Sequence, residues 1–124
     1  MPPIRLVFYR EDDGTVPLVP WLESIPDKAA DKCMARLRRL AALGYELRRP
    51  EADLLRDGIY ELRVSFQGIH YRMLYFFHGN LAVVVSHGLV KERAVPPVEI
   101  DRALGRRSRF FDRPYAHSAE FPDV

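Results

Sequence analysis

Residues 60–77 read YELRVSFQGIHYRMLYFF. Apolar and aromatic side chains recur at every second position on both sides of Gln67-Gly68. This is the pattern of two half-buried strands joined by a tight turn. Side chains alternate between the two faces of a strand. Closing the hairpin at Gln67-Gly68 therefore pairs Phe66 with Ile69, Val64 with Tyr71, Leu62 with Met73 and Tyr60 with Tyr75. Every pair is apolar or aromatic, so that face is expected to pack on helices. The same register sets Arg63 opposite Arg72 on the other face. Glu61 lies two positions along from Arg63, and His70 two along from Arg72.

A third strand is expected over 81–90, after a second short turn at Gly79-Asn80. Pairing His78 with Leu81 puts His87 opposite Arg72. A row Arg63–Arg72–His87 is then expected to cross the sheet, with Lys91 beyond it on the same face. Leu74, Phe76, Val83 and Val85 share this face in that register. The face is thus expected to be apolar and covered by the C-terminal helix at one end, basic and open at the other. Directly opposed like charges are unfavourable in a sheet. At about 5 Å and an effective dielectric near 20 the repulsion is roughly 3 kcal/mol. The row therefore calls for an anion, and Glu61 alone cannot neutralise Arg63, Arg72 and Lys91.

Upstream, IRLVFY (4–9) reads as a strand and Asp13-Gly14 as a turn. Residues 16–26 read as a short helix bounded by prolines. Residues 27–47 read as the longest helix, with Asp27 as N-cap and Gly44 placed to end it. Ala30, Cys33, Leu37, Leu40 and Ala41 form its apolar stripe. Residues 48–58 read as a connector that turns at Asp57-Gly58. A Pro-Pro start opens an amphipathic helix within 91–112. The order β-α-α-β-β-β-α segregates helices from strands, which predicts an α+β fold with a mainly antiparallel sheet. One domain is expected over 1–112, followed by a flexible tail over 113–124.

The 124 residues are 48% hydrophobic and 29% charged, a globular balance for one domain. The single cysteine, Cys33, excludes an intramolecular disulfide and reads as a small core residue. No signal peptide is evident and no apolar run is long enough to span a bilayer, so a cytoplasmic protein with no membrane partner is expected. All but three of the 19 basic side chains are arginine. A GC-rich genome accounts for such a bias, so the placement of the arginines bears on a nucleic-acid partner and their number does not. There is no phosphate-binding glycine loop, nucleophile elbow or zinc-like spacing, and no cofactor or metal is expected. A basic row with a histidine and a glutamate suits metal-independent phosphodiester chemistry on RNA. Such chemistry needs in-line positioning, positive charge on the developing phosphorane and proton transfer.

LRDGIYELRVSFQGIHYRMLYFF, followed by VVVSHGLVKERAVPPVEIDRAL, resembles the RelE/HigB-type toxins of type II toxin–antitoxin systems, in particular their phage-derived HigB-like branch. The resemblance runs from about residue 4 to 108. It implies a RelE-like small curved sheet with two N-terminal helices on one face. It implies ribosome-dependent cleavage of mRNA, neutralised by a cognate antitoxin that is often a helix-turn-helix protein. Arg63, Arg72 and Lys91 fall where the family holds basic catalytic or phosphate-binding groups, Arg72 matching best. Glu61 and His87 become the candidates for proton transfer. Many relatives carry a catalytic Tyr or His in the last segment, where this chain offers Tyr115 and His117 in the expected tail. A ParE-like gyrase poison and an inactive family member are the alternatives.

Overall fold

The computed structural model describes residues 4–120. The chain runs β1 (Arg5–Tyr9), α1 (Leu18–Ser24), α2 (Asp27–Leu43), a 3₁₀ turn (Gly44–Glu46), β2 (Ala52–Arg56), β3 (Ile59–Phe66), β4 (Ile69–His78), β5 (Ala82–Val90), α3 (Pro97–Asp112) and β6 (Ser118–Glu120). Gln67 and Gly68 both take left-handed backbone, with φ of 50° and 79°. That is the geometry of a two-residue hairpin turn matched to strand twist. The β3–β4 register is the expected one, with Arg63 opposite Arg72. Asp57 and Gly58 repeat the left-handed pair between β2 and β3.

The fold is α+β, and four of the five strand pairings are antiparallel, but the sheet is not the expected small curved RelE-like sheet. It is a mixed, open sheet of six strands in the order β2-β3-β4-β5-β1-β6. β1 lies parallel to β5, Arg5 facing Ala82 and Phe8 facing Val85. A parallel pair needs a long crossover, and the chain between β1 and β5 supplies it. Two strands escaped the sequence reading because they are short and carry no clean alternation. Ala52–Arg56, read as connector, pairs with β3, and Ser118–Glu120, read as flexible tail, pairs with β1. Residues 121–124 of that tail lie outside the described residues.

Helices cover both faces. Leu18 of α1 and Ala29, Cys33, Leu37 and Leu40 of α2 pack with Leu62, Val64, Met73 and Tyr75. Burial pushes the Cys33 thiol up to about 11, which makes it an inert core group. Asp27 is the first helical residue of α2, not its cap, and no side chain caps that end. Gly44, at φ 54°, ends the helix and returns its N–H to the Leu40 carbonyl. On the opposite face Ile100, Ala103 and Phe110 of α3 cover Leu74, Phe76 and Val84.

The β4–β5 turn holds three residues, not two, because Leu81 stays in it and His78 pairs with Ala82. This turns Val83 and Val85 toward α1 and α2, away from the charged face on which alternation had placed them. A bulge at Ser86 then inverts the alternation again, so that Leu74 faces His87 and Arg72 faces Leu89. The expected row is therefore corrected. Arg72 has Leu89 as its neighbour on β5, and His87 stands two positions farther along the same face.

Gly88 sits opposite Met73, directly beneath Trp21, whose ring occupies the space that a Cβ would need. Gly88→Ala is expected to displace that ring and cost about 1–3 kcal/mol in denaturant unfolding. An unchanged midpoint would contradict this packing.

Candidate functional site

The opposed arginines are not left facing one another. Glu61, only 2% exposed, accepts Arg72 Nη1 at 2.5 Å on one carboxylate oxygen. Its other oxygen accepts Arg63 Nη2 at 3.0 Å and Nε at 3.2 Å. Strand geometry brings the three together, since Glu61 is two residues from Arg63 and Arg63 is across from Arg72. β2 adds a second carboxylate by setting Asp53 opposite Glu61. Asp53 Oδ2 accepts Arg49 at 2.9 Å and Arg63 at 3.3 Å. Hydrogen bonding to Arg49 holds the Asp53 carboxyl below its ordinary range, despite opposing desolvation. At an effective dielectric near 20, each charge pair at about 4 Å is worth roughly 4 kcal/mol, more than the repulsion it offsets. Glu61 thus serves as counterion, and burial removes it from the role of proton carrier. Sequence reading missed Asp53 because the strand that carries it was taken for connector.

Beside this pair lies a cleft of about 660 Å³, lined by Lys32 and Arg36 of α2, by Arg63, Ser65, His70 and Arg72 of the hairpin, and by Glu51 and Glu92 among others. Lys32 Nζ donates to the Ser65 carbonyl at 2.8 Å. Arg36 Nη1 donates to the Arg63 carbonyl, which fixes α2 against the stretch of β3 that runs past β2. Arg36 and Arg39 share Glu51, whose carboxyl is lowered chiefly by its bond to Arg39. Ser65 Oγ and His70 Nδ1 are 2.9 Å apart at the exposed tip of the hairpin. Lys32, Arg36 and His70 were not singled out for this site. The helix residues carried no signal in one sequence, whereas His70 was visible on the charged face.

Lys91 follows β5, is exposed, and donates its backbone N–H to the His70 carbonyl at 3.2 Å. Its side chain is not among the groups that line the cleft.

His87 belongs elsewhere. It is 6% exposed under α3, with Ser86 Oγ 2.7 Å from Nδ1 and Glu99 Oε1 3.2 Å from Nε2. Arg106 donates to Ser86 Oγ and Arg102 to Glu99. This arrangement makes Nε2–H the donor to Glu99 and Nδ1 the acceptor from Ser86. Desolvation, with Arg106 next, pushes His87 down to about 4 against the pull of Glu99. Tyr115 and His117 do not reach the cleft either. Tyr115 is exposed, and buried His117 stacks on Tyr9 of β1, which β5 separates from β4.

Among the described residues no group of three or more His, Cys, Asp or Glu side chains could hold a metal ion, and no helix is long and apolar enough to cross a membrane.

Residues 20–108, which run from within α1 through α2 and the whole cleft into α3, match the family described as phage derived protein Gp49-like (DUF891). The chain belongs to that family. No curated protein matches it. The segments that line the cleft of this Gp49-like chain, from Lys32 to Glu92, all fall inside the matched span.

Glu61→Gln leaves Arg72 and Arg63 without their shared charge. It is expected to cost about 3 kcal/mol in urea unfolding. A neutral result would show that the two arginines find another counterion. His87 gives a separate test. Its folded form is neutral, and its ordinary value is 6.5, so the unfolded chain takes up the proton first as pH falls. The stability linked to it is complete above about 6.5 and is lost between about 6.5 and 4. The lowered carboxyls Glu51 and Asp53 keep their contribution above their ordinary values of 4.5 and 3.8 and lose it as pH falls below them, so the His87 window stands apart from theirs down to about 4.5. His87→Asn should flatten the melting temperature against pH between 6.5 and 4, and an unaltered slope would contradict the assignment.

Proposed function

We propose that this chain is the toxin of a type II toxin–antitoxin pair, and that it cleaves mRNA on the ribosome without a metal, by attack of a 2′-hydroxyl on the adjacent phosphate. The observation that carries this reading is the cluster of four cationic side chains, Lys32, Arg36, Arg63 and Arg72, around one cleft. A guanidinium has five N–H donors in a planar fork, so an arginine held by a carboxylate still has donors for a phosphate. Arg72 spends one on Glu61. Positive charge fixed in advance beside a developing phosphorane lowers the barrier without reorganisation. The resemblance of the β3, β4 and β5 segments to RelE/HigB-type toxins supports the same reading. The partner is a small DNA-binding antitoxin, which covers the basic face or packs on the exposed helices.

A second reading is an inactive member of the family. The observation in its favour is that Glu61 and Asp53 already neutralise the opposed arginines.

Expression in cells with mapping of mRNA 5′ ends separates these readings. The wild type is expected to arrest growth and create new mRNA ends. Arg72→Lys, which keeps a charge opposite Glu61 but loses the fork, should reduce the ends by at least about tenfold while the protein stays folded. Growth arrest with gyrase-linked DNA breaks and no new ends would replace the proposal with a ParE-like activity. Neither arrest nor ends would establish the inactive reading.

A further inference from the structure

Cleavage by an internal 2′-hydroxyl needs a base, and the residues expected to supply one are out of reach. Glu61 is buried with both oxygens held by arginines. His87 is buried with both ring nitrogens engaged. Of the carboxylates in the cleft, Glu51 is tied to Arg36 and Arg39, which hold it below its ordinary range and make it a poor base. Glu92 lies past the end of β5, in the segment that leads to α3. What remains on the hairpin itself is His70, exposed, on the face of Arg63 and Arg72, with Ser65 Oγ at its Nδ1.

Resting on the RNA-cleavage reading above, we propose that His70 is the general base of this cleft and Ser65 its positioning residue. With Nδ1–H donating to Ser65 Oγ, Nε2 carries the free lone pair. The proton of the ribose 2′-hydroxyl passes to Nε2 as the 2′ oxygen forms its bond to phosphorus. The bond from phosphorus to the 5′ oxygen breaks, and that oxygen takes a proton from water. The products are a 2′,3′-cyclic phosphate and a 5′-hydroxyl, and His70 then returns its proton to solvent. Arg63 and Arg72, whose Cα positions are paired across the hairpin two residues from Ser65 and His70, are placed to meet the phosphate oxygens. Lys32 fixes the hairpin tip through the Ser65 carbonyl.

Around His70 the cleft holds Ser65 from β3, Arg63 and Arg72 along the same face, Lys32 and Arg36 from α2, Glu51 before β2 and Glu92 after β5.

The test uses the purified full chain with ribosomes translating a defined mRNA, read by 5′-end mapping from pH 5.5 to 8.5. Binding to the same ribosomes is measured in parallel. His70→Asn is expected to slow cleavage about 100-fold or more, to leave binding unchanged and to remove the acid limb of the wild-type profile. Added imidazole should restore part of the rate to His70→Ala and none to Arg72→Lys. Ser65→Ala should give a smaller loss with the acid limb retained. Cleavage by His70→Asn within about threefold of wild type, with the same pH profile, overturns the role of His70 and leaves the RNA reading standing. Absence of cleavage by the wild type overturns the RNA reading and this proposal together.

Discussion

A carboxylate buried between two guanidinium groups is the interaction on which the functional half of the molecule depends. Without Glu61, Arg63 and Arg72 would face each other across a hairpin rung at a cost of several kcal/mol, and the strand pair would relieve it by splaying or by turning the side chains apart. With Glu61 in place each arginine has a fixed partner and a fixed direction. Asp53 and Arg49 extend the chain of charges to the edge strand, so the position of β2 is coupled to the direction of Arg63. A buried ion pair of this kind is weak evidence for net stability, because desolvation consumes much of the Coulomb gain. What it supplies is a defined geometry.

The two ends of the charged face differ because α3 covers only one of them. Leu74, Phe76 and Val84 lie under Ile100, Ala103 and Phe110, and His87 is drawn into that covered end by the Ser86 bulge. There its neutral ring joins a relay of Arg106, Ser86, Glu99 and Arg102 that satisfies the buried polar groups of the bulge. The other end is left uncovered by α3, and beside it Lys32 and Arg36 of α2 reach round from the opposite face to the Ser65 and Arg63 carbonyls. α2, the segment before β2, β3, β4 and the segment after β5 thus meet around one opening of about 660 Å³.

The hairpin was legible because period-two alternation and a Gln-Gly turn both point to a single register. The α2 stripe through Cys33, Leu37 and Leu40 was legible for the corresponding reason in a helix. The third strand was misplaced because a turn of two residues and one of three leave the same local signature, Gly79-Asn80. Nothing in the sequence VVVSHGL announces a bulge. The sheet was undercounted because Ala52–Arg56 and Ser118–Glu120 are edge strands, half exposed, which have no need of alternating hydrophobicity. The parallel seat of β1 against β5 depends on contacts between residues nearly eighty positions apart, to which local patterns are blind. The arginines of the site were read correctly as a pair. Their counterion was underestimated because Asp53 becomes a neighbour only through β2.

Asp53 has a second consequence, for how the molecule avoids its own kind. β2 is an open sheet edge, and such an edge can template pairing with a neighbouring chain. Glu51 and Asp53 turn their backbone toward β3, so Ala52 and Leu54 turn theirs outward. The Ala52 N–H is spent on the Arg48 carbonyl, and the Leu54 N–H on Asp53 Oδ1, each at 3.1 Å. The carboxylate that steadies the arginines on one side therefore withdraws a hydrogen-bond donor on the other. The same residue that holds Arg63 leaves the open edge with one donor fewer.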